Sequence, residues 1–330
     1  MCEWIQDSGL ELSIGNGAPL GPDPDLVLVG KPPVSSNRHL GEWLCWLERR
    51  FARGTRIVCD YSDNHLSKGS TEPIYRFYER LFSISDVVTV PTMGLCDWLE
   101  TNGWVPSNRI KVIPDLNEYE DLIGAPRRLD PPEKLGLWFG HPTNFPYLAD
   151  FLSTNADMMR DEKLFVVTSK KAIESLGWVD QRWVRWPSTT VWLKPVLWSQ
   201  SSMRIALEAA SYCIIPADVS SLRKQFASPN RLITALSAGI PTAATALKGT
   251  EGLKQYFLQI ESSQARDLIE NPLAFDHLPK AFATQAAWAY GRVNIAQQWR
   301  NALDSEEALY GEAGATTTGG GGIWVPNHEL

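Results

Sequence analysis

The run YCIIPADVSSLRKQFASPNRLITALSAGIPTAAT, residues 212–245, decides how the rest of the chain reads. Tyr212-Cys213-Ile214-Ile215 is apolar and is stopped by Pro216, the pattern of a buried strand. A polar loop follows, carrying Arg223, Lys224 and several small hydroxyl residues. The spacing then predicts a helix from Ser228 or Pro229, with Leu232, Ile233 and Leu236 as its apolar stripe, closed by Gly239 and Pro241. Thr242-Ala243-Ala244 reads as the next strand. A strand end, a cationic loop with Arg223, Lys224 and Arg231, and a helix start are thus brought together. The unbonded N–H groups and dipole of such a start favour an anion, and a nearby arginine adds bidentate phosphate contacts. The plainer reading of the same residues is a capped helix behind a solvated loop, and on local physics alone the two stand level.

Working outward, short apolar runs alternate with helical periodicity on both sides of this stretch. Asp25–Gly30, Arg56–Asp60, Val87–Val90 and Arg109–Asp115 read as strands, with helices over His39–Arg50, Ile74–Phe82 and Met93–Asn102. Leu10–Ile14 is a further short strand. After a Pro- and charge-rich stretch over Leu116–Glu133, the alternation resumes at Leu135–Gly140 and continues through Leu164–Thr168 to the opening stretch. Two helical segments close it, Gln264–Glu270 and Pro279–Leu303. Continuous apolar strands separated by helices predict parallel α/β sheets with right-handed crossovers. We therefore expect two Rossmann-like domains: residues 1–115, a linker over 116–134, residues 135–288, a closing helix over 289–310 and a glycine-rich flexible tail over 311–330.

Composition narrows the class. The 330 residues are enough for two domains with real cores. A formal net charge of −7 argues against a strongly basic nucleic-acid footprint, although a local basic groove would still admit nucleic acid. Five scattered cysteines offer neither a zinc spacing nor a disulfide framework, so a reducing, cytoplasmic setting and no bound metal are expected. The first residues lack the pattern of a secretory signal, and no apolar run approaches a membrane span. The 14 tryptophans suit cores and domain interfaces first, sugar or base pockets second.

In an open α/β sheet, ligands lie beyond the carboxyl ends of the strands, so the residues following each strand are the candidates. In the second half these include Gly140, His141, Asn144, Lys170, Trp186, Arg223, Lys224, Ser228, Asn230 and Arg231, a polar, mostly cationic set suited to a diphosphate. In the first half they are Lys31, Asp60, Asp63, His65 and Asp115, suited to proton handling and hydroxyl binding. Asp60 and Asp63 read equally well as helix or turn caps. Lys170 with Lys171 reads more readily as a solvated helix start than as a phosphate ligand. His65, in a polar loop, is not expected in the core. No G-x-G-x-x-G, Walker A, H-E-x-x-H or G-x-S-x-G pattern occurs.

The order of pieces resembles two-domain glycosyltransferases of the GT-B type, of the retaining, group 1 or family 4 kind. "GKP", "DYSDNH", "SDVVTVPTMGLCDWLETNG" and "IKVIPD" resemble the first half of that fold. "LGLWFGHPTNFPYL" resembles the opening strand and glycine loop of the second, "IIPADVSSLRKQFASPNRLITALSAGIPTAAT" its donor-diphosphate segment, and "GRVNIAQQWRNAL" its closing helix. The resemblance spans Asp25–Leu303. It implies domains facing each other across a cleft and transfer of a sugar from a UDP- or GDP-sugar to a glycan or other hydroxyl acceptor, with retention. It also implies no cofactor or metal, since cations and a helix start neutralise the leaving diphosphate. Gly140, His141, Asn144, Lys170, Trp186, Arg223, Lys224, Ser228, Asn230 and Arg231 would then bind the donor, the nucleobase lying near Trp186–Ser188. Lys31 and Asp60 would face the acceptor, with Asp63 and His65 as catalytic candidates. The chain departs from the pattern where many members carry two glutamates: Phe226 and Thr234 stand there. That departure keeps open a non-catalytic nucleotide- or glycan-binding protein, and the acceptor could instead be a modified DNA base.

Overall fold

A computed structural model describes residues 11–14, 24–32, 37–124, 134–304 and 322–325. The chain divides into two compact units. The first comprises Met1–Asp115, Phe226–Ser228 and Val293–Leu330; the second comprises Leu116–Gln225 and Pro229–Arg292.

The first unit is built on a six-stranded sheet whose order in space is Glu11–Ile14, Gly322–Val325, Leu26–Val29, Arg56–Asp60, Val87–Val90 and Ile110–Val112. Every neighbouring pair is parallel. Leu26–Val29 and Val87–Val90 are buried along their whole length, as strands covered on both faces must be. Helices Asn37–Phe51, Pro73–Ile84 and Met93–Thr101 alternate with them. Phe226 is buried in this unit's core against Trp98.

The second unit has a seven-stranded sheet in the order Leu258–Gln259, Thr242–Ala244, Tyr212–Ile215, Gly136–Phe139, Lys163–Thr168, Trp192–Leu197 and Val184–Arg185. All pairs are parallel except the last. Successive residues of the central strands enter opposite cores: Leu137, Val167 and Cys213 join one hydrophobic cluster, Trp138, Val166 and Ile214 the other. The decisive stretch folds as a strand (Tyr212–Ile215), a short helix (Leu222–Gln225), a second helix (Asn230–Ser237) and a strand (Thr242–Ala244). Gly239 sits at a φ of 73°, the left-handed conformation that ends a helix readily only with glycine.

Two expectations change. Pro279–Leu303 is not one helix but two, His277–Gln285 and Arg292–Asp304, joined by a 3-10 turn at Ala287–Tyr290. The second helix starts afresh because Glu120, far away in sequence, accepts the Arg292 backbone N–H at 2.7 Å. Tyr290 meanwhile stacks on the buried ring of Phe282. Residues 322–325, expected within a flexible tail, form a strand between Glu11–Ile14 and Leu26–Val29; the β-prone Ile-Trp-Val triplet outweighs the glycines before it. The other residues of that stretch lie outside the described ones, as do 125–133 of the expected linker.

Gly136 opens the central strand of the second unit under the ring of Tyr212. A Cβ at position 136 would lie 2.7 Å from Cζ and Oη of that side chain. Tyr212 cannot swing aside, because it is fully buried and its hydroxyl donates to Glu162 Oε2 at 2.9 Å. Glu162 is held in turn by Lys134 Nζ at 2.5 Å. Gly136→Ala should therefore cost about 1–3 kcal/mol of stability by overpacking. A urea denaturation midpoint no lower than that of the wild type would refute this account.

Candidate functional site

The second unit brings four of the expected donor residues to one place at the carboxyl end of its sheet. Gly140 follows the Gly136–Phe139 strand, and both its backbone groups are engaged. Its N–H donates to the Val167 carbonyl at 3.1 Å, and its own carbonyl accepts from the Thr168 hydroxyl at 2.9 Å. A Cβ on this residue would lie 3.4 Å from Arg231 Nη1 and 3.5 Å from Asn144 Nδ2. Asn144 Oδ1 accepts from Lys224 Nζ at 2.6 Å. Gly140, Asn144, Lys224 and Arg231 thus form one cationic cluster around a position without a side chain.

Arg231 is the second residue of the Asn230–Ser237 helix, whose N-cap, Pro229, supplies no side-chain hydrogen bond. Its Nη1 is buried and has no hydrogen-bond partner among the described residues. Burial pulls the guanidinium pKa down to about 10. A cation in this state is poorly solvated and poorly satisfied, so an anion arriving at Gly140 gains a strong contact.

Arg231 also lines a cavity of about 170 Å³ with Glu118, Tyr119, Phe139, Trp198 and Thr234. The Tyr119 hydroxyl is buried without a hydrogen-bond partner, and its ring is only 6 % exposed. Trp198, at the carboxyl end of the Trp192–Leu197 strand, is 51 % exposed. The cavity therefore combines an aromatic wall, one carboxylate and two buried groups with unused hydrogen bonds.

The other expected donor residues lie differently. Trp186 is built into a hydrophobic cluster with its ring on Phe145, and its indole N–H donates to Ser153 Oγ at 3.5 Å. The exposed aromatic at the carboxyl end of the sheet is Trp198, which sequence reasoning passed over although it directly follows a strand. Glu118, Tyr119 and Phe139 were also missed; the first two stand in a segment read as linker. His141 caps its own turn, its Nδ1 accepting the Thr143 N–H. Lys170 is exposed and pairs with Glu174 on its own helix, the solvated helix start that its neighbour Lys171 suggested. Arg223 shares the Leu222–Gln225 helix with Lys224, Asn230 is exposed at the helix start, and Ser228 belongs to the first unit.

In the first unit, Lys31 Nζ and Asp63 Oδ2 form an ion pair at 2.6 Å, so neither Asp63 nor Lys31 stands alone. Asp60 caps no helix; its Oδ1 accepts from the Thr89 hydroxyl across the sheet at 3.0 Å. His65 corrects the expectation that it lies outside the core. It is 2 % exposed, and its ring stacks nearly parallel on Tyr78 with centroids 5.2 Å apart.

With the geometry in hand, the chain can be set beside known proteins. No family model matches the sequence, and no curated protein matches it. Solved structures do. TarM is 15 % identical with a TM-score of 0.56, covering 86 % of this chain and 56 % of its own. Anabaena Alr3699/HepE, solved with UDP and glucose, is 16 % identical with a TM-score of 0.56, covering 85 % and 78 %. An alpha-glucosyltransferase solved with UDP and a 13-mer DNA containing a HMU base is 11 % identical with a TM-score of 0.54, covering 84 % and 80 %. The chain spans little more than half the length of the TarM chain it matches. At these identities the likeness establishes the fold, and it is the glycosyltransferase fold of GT-B type that the motifs resembled.

Burial, followed by the nearby Asp115 carboxylate, pushes the Asp60 pKa up to about 7, against the lowering by the Thr89 hydroxyl. Between its ordinary value of 3.8 and about 7 the folded chain holds a proton that the unfolded chain has lost. Asp60 therefore contributes a loss of stability as pH rises through that window. Asp60→Asn should flatten this part of the pH profile, raising the melting temperature at pH 8 relative to pH 5. An unchanged difference between wild type and variant across the two pH values would contradict the buried-carboxyl assignment.

Proposed function

We propose that the chain is a glycosyltransferase that takes its sugar from a nucleoside diphosphate-sugar. The observation that carries this reading is the buried Arg231 Nη1, unpartnered and set against the bare Cα of Gly140. The diphosphate lies there, held by Arg231 and Lys224, with Asn144 orienting the lysine and Asn230 and Arg223 completing the surroundings. Glycosyl transfer breaks the bond between the anomeric carbon and a phosphate oxygen and forms one to the acceptor oxygen. Negative charge gathers on the leaving diphosphate, whose oxygen takes up the proton lost by the acceptor hydroxyl. A preorganised cation beside that oxygen lowers the barrier in the way a fixed oxyanion site does.

The nucleoside occupies the cavity walled by Trp198 and Phe139 rather than the Trp186 turn, whose ring is committed to packing. The known structures of this fold that hold UDP support a uridine donor. Transfer proceeds with retention, and the cationic side chains carry the charge that a metal carries elsewhere. The acceptor, a glycan or other hydroxyl compound, is assigned to the first unit at Lys31, Asp60 and Asp63. His65, buried and stacked on Tyr78, is given no contact with the acceptor in this reading. Free Cys45, Cys59, Cys96 and Cys213 are in keeping with a reducing compartment.

The test is calorimetric titration with UDP, GDP and ADP, followed by an assay of transfer or hydrolysis of the matching sugars. Wild type should bind at least one of the three. Arg231→Met should weaken that binding at least tenfold, a loss of about 1.4 kcal/mol or more, without lowering the melting temperature, because it removes an unsatisfied buried cation. Gly140→Val should do the same by filling the phosphate position. Binding with no turnover on any sugar would favour a nucleotide-binding protein of this fold. A wild type that binds no nucleoside diphosphate overturns the proposal.

A further inference from the structure

Glu118 is the one carboxylate in the cavity shared by Arg231, Tyr119, Trp198 and Thr234. It is exposed, and among the described residues it forms no hydrogen bond or ion pair. It does not neutralise Arg231, whose Nη1 is without a partner in the same cavity. The cavity lining therefore carries both an unsatisfied cationic donor and an unpaired carboxylate. An ionised carboxylate has no proton to give and repels phosphate, so the part of a ligand beside Glu118 must donate hydrogen bonds.

We infer that Glu118 is a specificity-determining residue that reads the adjacent 2′- and 3′-hydroxyls of the donor's ribose. The inference rests on the nucleotide reading of this cavity. A nucleoside diphosphate has few donors: its phosphates have none at neutral pH, and uracil has a single ring N–H. The ribose diol presents two neighbouring donors, which match the two oxygens of one carboxylate. Thr234 adds a hydroxyl one turn along the helix from Arg231, and the buried Tyr119 hydroxyl offers a further unused donor and acceptor. The carboxylate reaches the cavity from the segment after Asp115, which explains why the helix can carry the small Thr234 at its own position facing this space.

The experiment compares UDP, GDP and ADP with their 2′-deoxy forms on the intact wild-type chain, on Glu118→Gln and on Glu118→Asp, by calorimetry. Wild type should bind the preferred ribonucleotide about tenfold more tightly than its deoxy form, a charged hydrogen bond's worth of discrimination. Glu118→Gln should lower affinity for the ribonucleotide about tenfold and for the deoxy form, which keeps only the 3′-hydroxyl, by clearly less, so that the ratio falls towards one. Glu118→Asp should restore part of the ratio. Because Glu118 is exposed and makes no internal bond, an unchanged melting temperature is expected in both variants. If Glu118→Gln weakens both nucleotides equally, or neither, the inference is overturned while the nucleotide site stands. If the wild type binds no nucleotide, the underlying reading fails with it.

Discussion

A guanidinium nitrogen with nothing to bond is the constraint on which the second unit turns. Leaving a buried donor unsatisfied costs about 1–3 kcal/mol, and natural folds keep few such groups. Arg231 Nη1 is one of them. It is tolerated because the elements around it are rigid. Its helix ends in a left-handed turn that glycine adopts without strain, and the opposing loop is pinned through Gly140 to Val167 and Thr168. The missing side chain at Gly140 leaves the space in front of the cation open. Stability is given up where a ligand can return it, which is how preorganised electrostatic sites are built.

The surroundings of that cation divide the labour. Lys224 is steered by Asn144 towards the same space, so a second positive charge comes with fixed geometry. On the cavity side the character changes to aromatic and hydrogen-bonding, with Trp198 and Phe139 as walls and Glu118 as the acceptor. The first unit handles charge in another way. Asp60 is half-buried, and desolvation pushes its pKa up to about 7, whereas Asp63 meets Lys31 in a partly exposed ion pair. Two carboxyl groups three residues apart thus meet different surroundings: one is desolvated near Asp115 and the other is paired with a lysine.

Much of the fold was legible from the residues. Strands buried on both faces must be continuously apolar, so Leu26–Val29, Val87–Val90 and Tyr212–Ile215 announced themselves, and their alternation with helices implied parallel sheets. Gly140, Lys224 and Arg231 could be named because ligand sites in such sheets follow strand ends. The failures share a cause. His65 lies in a polar local sequence, and the ring it stacks on, Tyr78, is thirteen residues away. The break before Arg292 is set by Glu120, which no window around residue 290 contains. Trp186 and Trp198 both follow strand-like runs, and only packing against Phe145 tells the core tryptophan from the exposed one.

The sequence by itself determined the class of fold: two α/β halves and a cationic strand–loop–helix segment. These are properties of local periodicity and of residue type, which a linear string records. Only the tertiary structure decided which cation is buried and unsatisfied, that Asn144 and Gly140 share its space, and that the carboxylate of this cavity comes from Glu118. Desolvation and hydrogen-bond satisfaction depend on atoms brought from distant parts of the chain, and no spacing rule encodes them.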